Sequence, residues 1–395
     1  MSSQAVRHRT AIIVTIVSAN MLALAATDLY LPSVPYLPEI LGTNIEGIQF
    51  TLVAFSLGFA VSQILFGAAG DLWNRRWILV SSLFVFVPAS AWCALSGSVE
   101  GLIAARVLQG FAASASATLT VPMIKPLFDE TRAVHAISVI GGVDAIIPAL
   151  APILGAWIFI QFGWAANFWV VVIVGVPILL AAIWYVPDDR PESHHVSIWP
   201  VLMGFFTLLR HKVFMGYALS HGFSLAGLLA VVFSAPTLIV QFMDGGPTEY
   251  VYCQIMWVGI FLISANFTGF LSRRMTPDDL IWKANYIQIG SAGLLLGYAL
   301  WVDTPHWLGF GIAGLPYCIG LGLRGGAGFS RAIDAVPAYG ARASSLIIFF
   351  SMALTAVGTG AVAPFIADGL WSAGTIMLIM SIAALGVLPL IRANR

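Results

Sequence analysis

Residues 11–38 read AIIVTIVSANMLALAATDLYLPSVPYLP. The stretch is apolar from Ala11 to about Pro35, too long for the short apolar core of a cleavable leader and lacking an early small-residue cleavage site. It is long enough to cross a bilayer as one helix, and it carries a single acid, Asp28. The rest of the chain repeats this pattern. Of 395 residues 59% are apolar and 9% charged, against about 25% charged in soluble domains, and the mean hydropathy is +0.92. Such a chain belongs in a membrane. Its segments are continuously apolar rather than alternating, which selects helices over a barrel.

Apolar stretches of membrane-crossing length fall at about 11–38, 46–68, 77–98, 101–123, 133–161, 165–186, 213–240, 249–270, 281–302, 305–327, 342–366 and 370–392. About twelve spans are therefore expected. The longest polar break, 187–212, separates an N-terminal six-helix bundle (1–186) from a C-terminal one (213–395). Ser197–Leu209 within that break is apolar enough to lie along the membrane surface. The halves echo each other weakly, with GAAGDLWNRR after the second span and GFLSRR after the eighth. Apart from Arg106 and Arg324, every Lys and Arg falls on one side of this layout, and acids such as Glu39, Glu46, Glu100 and Asp303 fall on the other. By the positive-inside rule both termini are expected in the cytoplasm.

The net charge of zero, from 18 basic and 18 acidic residues, gives no reason to expect a nucleic-acid partner. Cys93, Cys253 and Cys318 show no ligand spacing, so neither disulfide nor metal is expected. Without GxxxxGK[ST], HExxH or GxSxG the chain offers no ATP site and no hydrolytic constellation, which disfavours a polytopic enzyme; nothing resembles a channel filter. No cofactor is expected; a monomer in the lipid bilayer is, with a small-molecule substrate and protons as the expected partners of the charged residues inside the spans.

Four charged residues inside spans carry the chemistry. An ionised acid at a helix centre costs about 2.5–3.5 kcal/mol, so Asp28 faces a cavity, pairs or holds a proton; the alternative is an idle acid at the outer interface. Arg106 stays charged and either tunes a carboxylate across the bundle or snorkels outward. In the fifth span Gly141, Asp144, Pro148, Pro152 and Gly155 share one face, which places Asp144 toward the cavity. Arg324 in the tenth span either snorkels inward or lines the cavity, where it would meet Asp144 from the opposite half or an anionic substrate. Tyr30, His221 and Phe233 are further cavity candidates, with His221 as readily a packed polar residue. In GAAGDLWNRR, Gly67 permits a tight helix end, and Asp71 is placed to cap a helix and pair with an arginine, Arg75 being near, as a latch; a plain topology anchor is the alternative.

TDLYLPSVPYLPEIL, GAAGDLWNRR, RVLQGFAASA, PALAPILGA and FSAPTLI together resemble the major facilitator superfamily, specifically the twelve-span drug:proton antiporters of the bicyclomycin, chloramphenicol and florfenicol resistance type. The resemblance spans essentially the whole chain. It implies an all-α integral membrane protein in the major facilitator fold, two pseudo-symmetric bundles in a bacterial inner membrane, exporting small molecules against protons by alternating access. It further implies Asp28 as coupling acid, Arg106 as its partner, Gly67, Asp71 and Arg75 as the latch, and Pro148, Pro152 and Gly155 as the antiporter motif. The chain departs from that pattern at Leu72, Asn74, Lys125 and Pro126 and by adding Asp144 and Arg324. A charged pair in the cavity would suit a carboxylated or zwitterionic solute such as a siderophore.

Overall fold

The computed structural model describes residues 3–189 and 198–392. Linker positions 190–197, including His194 and His195, lie outside the described residues. No strand occurs among those described. The first half comprises α1 (Ser3–Asp28), α2 (Leu37–Leu41), α3 (Ile45–Leu72), α4 (Arg75–Leu95), α5 (Val99–Ile124), α6 (Glu130–Phe162) and α7 (Trp164–Tyr185). After α8 (Ile198–Arg210) the second half runs through α9 (Lys212–Phe242), α10 (Pro247–Leu271), α11 (Pro277–Trp301), α12 (Trp307–Asp334), α13 (Gly340–Val362) and α14 (Trp371–Gly386).

Local chemistry sets the boundaries. Pro32 and Pro35 lack the N–H that an α-helix needs, so beyond Asp28 the chain tightens into the 3-10 turn Leu31–Tyr36. Asn44 and Ser98 begin α3 and α5 by accepting from Gly47 N (2.9 Å) and Gly101 N (3.2 Å), satisfying amides that a helix start leaves bare. Between α6 and α7 the connection is a single residue, Gly163, at φ 82°, a conformation glycine adopts without penalty.

Ten of these helices are long and apolar enough to cross a membrane among the described residues. The ninth and tenth spans, α11 and α12, are long but more polar, bearing buried Asn285, Gln288 and Arg324. They pack on each other and on α10 and α14 as members of the second bundle, so the twelve-helix architecture of a multi-pass membrane protein stands. Helix α8 forms where a surface helix was expected, burying Val201, Phe205 and Leu208 against α9 and α13 while Trp199 stays exposed. One expectation is corrected. Asp71 caps nothing: it sits in the last turn of α3, and the cap of α4 is Asn74, which accepts from Arg76 N at 3.1 Å.

One apolar core joins both halves at the acidic end, from Tyr30, Leu31 and Val34 to Val231, Leu238 and Tyr250. A second belongs almost wholly to the first half and a third to the second half, where it receives Ile64, Ala68 and Leu72 of α3. Within the first half α3 and α5 approach backbone to backbone. A Cβ added at Gly110 would lie 2.1 Å from Phe55 O, and one at Gly58 would lie 2.2 Å from Val107 O. Small residues permit such approach where the lipid offers no hydrophobic gain. Gly110→Ala should therefore force the helices apart and lower stability by about 1–3 kcal/mol, whereas Gly142→Ala, with open space around it, should cost nothing. Thermal unfolding in detergent measures both, and equal transitions would show that the close approach is not required.

Candidate functional site

Between the halves lies a cavity of about 350 Å³ whose wall includes Asp28 of α1, Phe55 of α3, Asp144 of α6, Phe233 of α9, Gln254 and Trp257 of α10, and Cys318 of α12. Most of the wall is apolar. Among the described residues no Lys or Arg lines it.

The fifth-span stripe packs against the first span of the same half. At one end a Cβ on Gly155 would meet Leu29 O at 2.2 Å, and at the other a Cβ on Gly141 meets nothing within 4 Å. The stripe is therefore tight toward the acidic end and open toward the basic end. Its prolines leave carbonyls without an intrahelical donor. Pro152 frees the oxygen of Pro148, and Gln254 Nε2 reaches it from the second half at 3.3 Å. Nearer the acidic end Gln49 Nε2 donates across the halves to Phe233 O and Thr237 Oγ1, both at 3.4 Å.

Asp28 and Arg106 are neighbours but not an ion pair. Among the described residues no Lys or Arg nitrogen lies within 4 Å of the Asp28 carboxylate. Arg106 is fully buried and donates to Gln109 Oε1 (2.7 Å) and to Thr27 Oγ1 (3.0 Å). Gln109 in turn donates to Ser90 Oγ at 2.9 Å. The guanidinium carbon lies 4.3 Å from the Phe55 ring centre and 5.2 Å from that of Tyr30, faces that attract a cation. Arg106 thus neither snorkels nor bonds the acid; it fixes the residue beside it.

Arg324 requires a larger correction. It is fully buried, yet it neither snorkels nor lines the cavity, and it does not meet Asp144. Its guanidinium donates to Ser220 Oγ (2.7 Å), Ser224 Oγ, Asn285 Oδ1 (2.8 Å) and Gln288 Oε1 (3.4 Å). Asp144 instead accepts from Asn20 Nδ2 at 2.7 Å. Tyr30 is also absent from the cavity wall, being fully buried with its hydroxyl 3.0 Å from Thr51 Oγ1. His221 packs edge-on against Phe329 and does not line the cavity either. The two arginines share one plan: each sits on the fourth span of its half and bonds polar groups on the first span, and the third span completes each cluster.

At the basic end Asp71 pairs with Arg342 of α13, Nε to Oδ2 at 3.0 Å. This contact bridges the halves. Beside it a Cβ on Gly67 would fall 2.5 Å from Ser345 Oγ. Arg75 turns away from Asp71, donating to Gly70 O (3.0 Å) and Asp189 (3.3 Å).

Sequence comparison agrees with this architecture. A family model, Major Facilitator Superfamily, matches residues 16–359. The multidrug resistance protein MdtL of Escherichia coli is 24% identical over 310 residues, 78% of this chain and 77% of that protein. Among solved structures, the nucleoside transporter NupG superposes with a TM-score of 0.68 at 16% identity, covering 97% of this chain and 99% of that one. A bacterial homologue of the human lysosomal transporter Spinster, inward-facing and unoccupied, gives 0.69 at 12% identity, covering 99% and 97%. With a family match over most of its length and the fold to go with it, this chain is a transporter rather than an enzyme and belongs to the Major Facilitator Superfamily.

Proposed function

We propose that this protein is a proton-coupled exporter of small lipophilic solutes, neutral or cationic, in a bacterial inner membrane, with Asp28 as the group that exchanges proton for substrate. One observation carries the reading: Asp28 stands in the wall of a mostly apolar cavity with no Lys or Arg nitrogen of the described residues within 4 Å, while the buried Arg106 is anchored on the preceding residue. A carboxyl in a dry cavity is tolerated when protonated, and a hydrated one when ionised. Exposing the cavity alternately to each side would therefore load and unload the proton. Arg106 supplies a fixed positive field that limits the cost of the ionised state without neutralising it permanently. The membrane potential adds about 2.3 kcal/mol per 100 mV for each charge moved. Efflux is supported by the multidrug relatives. The apolar wall without a basic group favours neutral or cationic solutes, and the siderophore alternative loses its motive once Arg324 stands elsewhere. The positive-inside pattern assigns the basic end to the cytoplasm.

The matching variant is Asp28→Asn, which keeps size and removes the proton. In everted vesicles with an imposed pH gradient, accumulation of amphenicols and lipophilic cations should vanish, and equilibrium binding of the same solutes should lose its pH dependence, since the amide holds no proton for a solute to displace. Undiminished gradient-driven uptake by the variant would overturn the coupling role.

The Asp71–Arg342 pair serves in this scheme as a latch between the cytoplasmic ends. Ser345, buried beside Gly67, is a reporter of that seam. In an otherwise wild-type chain carrying Ser345→Cys, Asp71→Asn should speed thiol labelling up to about fivefold, the effect of a partly exposed ion pair. Exchanging the charges through Asp71→Arg with Arg342→Asp should return it toward the starting rate. Equal labelling in all three would leave the pair without a gating role.

A further inference from the structure

Two carboxylates, Asp28 and Asp144, stand in the wall of one cavity, and they stand in different fields. Asp28 lies beside a guanidinium held on Thr27 Oγ1 at 3.0 Å, so part of its attraction for another positive charge is already offset. Among the described residues Asp144 pairs with no such cation. Its one hydrogen-bond partner among the described residues is the neutral Asn20 amide, which occupies Oδ1 at 2.7 Å and leaves Oδ2 unpaired. Asp144 also sits on the stripe of α6 that is open at Gly141, toward the basic end, while Asp28 lies toward the sealed end. Across the cavity Trp257, Phe261 and Phe233 present aromatic surface, which attracts a desolvated cation as an aliphatic wall would not.

Resting on the reading that this cavity is the substrate site, we infer that Asp144 is a docking carboxylate for a bulky organic cation, separate from Asp28. The positive centre of the solute pairs with Oδ2 while its apolar substituents fill the aromatic and aliphatic wall. Asn20 is a positioning residue: it holds the carboxylate at the cavity surface and keeps it from turning toward lipid. Recognition of charge and exchange of protons then belong to two different acids. A neutral solute would bypass the first and still use the second.

Charge at constant shape isolates this claim. Tetraphenylphosphonium and tetraphenylborate have nearly the same size and surface and opposite charge, and their binding to the purified full-length protein in detergent can be measured at equilibrium with labelled probes. Wild-type protein should bind the phosphonium at least about tenfold more tightly than the borate. Asp144→Asn should weaken the phosphonium by at least about tenfold and reduce the preference for it. Asp144→Glu, which retains the charge, should stay within a few-fold of wild type, and thermal unfolding of each variant reports that the bundle is intact. No binding of the phosphonium to wild type, equal affinity for the two ions, or full affinity in Asp144→Asn would each overturn the inference. Its fate is separable from that of the coupling reading. An Asp144-dependent preference in a protein whose Asp28→Asn variant still concentrates solute would sink only the coupling role; loss of coupling without any charge preference would sink only the docking site.

Discussion

The fold is organised around a positive charge that cannot leave the bundle and has no acid to neutralise it. Burying a guanidinium costs several kcal/mol unless its donors are satisfied. The first half meets most of that demand for Arg106 with Gln109, Thr27 and three aromatic faces, leaving Nε without a hydrogen bond among the described residues. This solution fixes the end of α1 against α5 and places Asp28 beside a cation that it does not touch. The second half answers Arg324 with hydroxyls and amides at its two terminal nitrogens, its Nε again unbonded among the described residues. Each arginine ties together the first, third and fourth spans of its half, so the repeat is visible in side-chain chemistry where the sequences of the halves have drifted apart.

The halves meet differently at the two ends. Toward the acidic end they share one apolar core, and Gln49 of the first half donates to Phe233 O and Thr237 Oγ1 of the second. Toward the basic end an ion pair and the contact of Gly67 with Ser345 join α3 to α13, while the cavity-facing stripe of α6 is open at Gly141. Apolar contact is broad and weakly directional, whereas an ion pair at a partly exposed seam is worth about 1 kcal/mol or less. The proline-freed oxygen of Pro148, bonded by Gln254, adds a contact between the halves at the cavity itself.

Much of this was readable in the sequence, and the reasons are physical. Apolar length fixed the spans, and the one-sided distribution of Lys and Arg separated their two ends. An acid in a span is expensive enough that Asp28 and Asp144 stood out, and both line the cavity. Arg324 stood out for the same reason, but its depth along α12 could not say which neighbours would satisfy it. A signal was present in Ser220 with Ser224, and in Asn285 with Gln288, polar residues at helical spacing on one face of an apolar span. Asn20 and Gln254 were likewise isolated amides in apolar surroundings. The partner of Asp71 was out of reach, because Arg342 lies 271 positions away and only packing of the halves brings them together.

The account turns on a carboxyl that gives up its proton when solute takes its place in the cavity. The most direct measurement is the release of protons from purified protein into weakly buffered solution as a solute that it binds is added, followed across pH. The account expects release that tracks occupancy at low pH and disappears at higher pH, where the acid is already empty. Saturable binding with no proton released at any pH would contradict it.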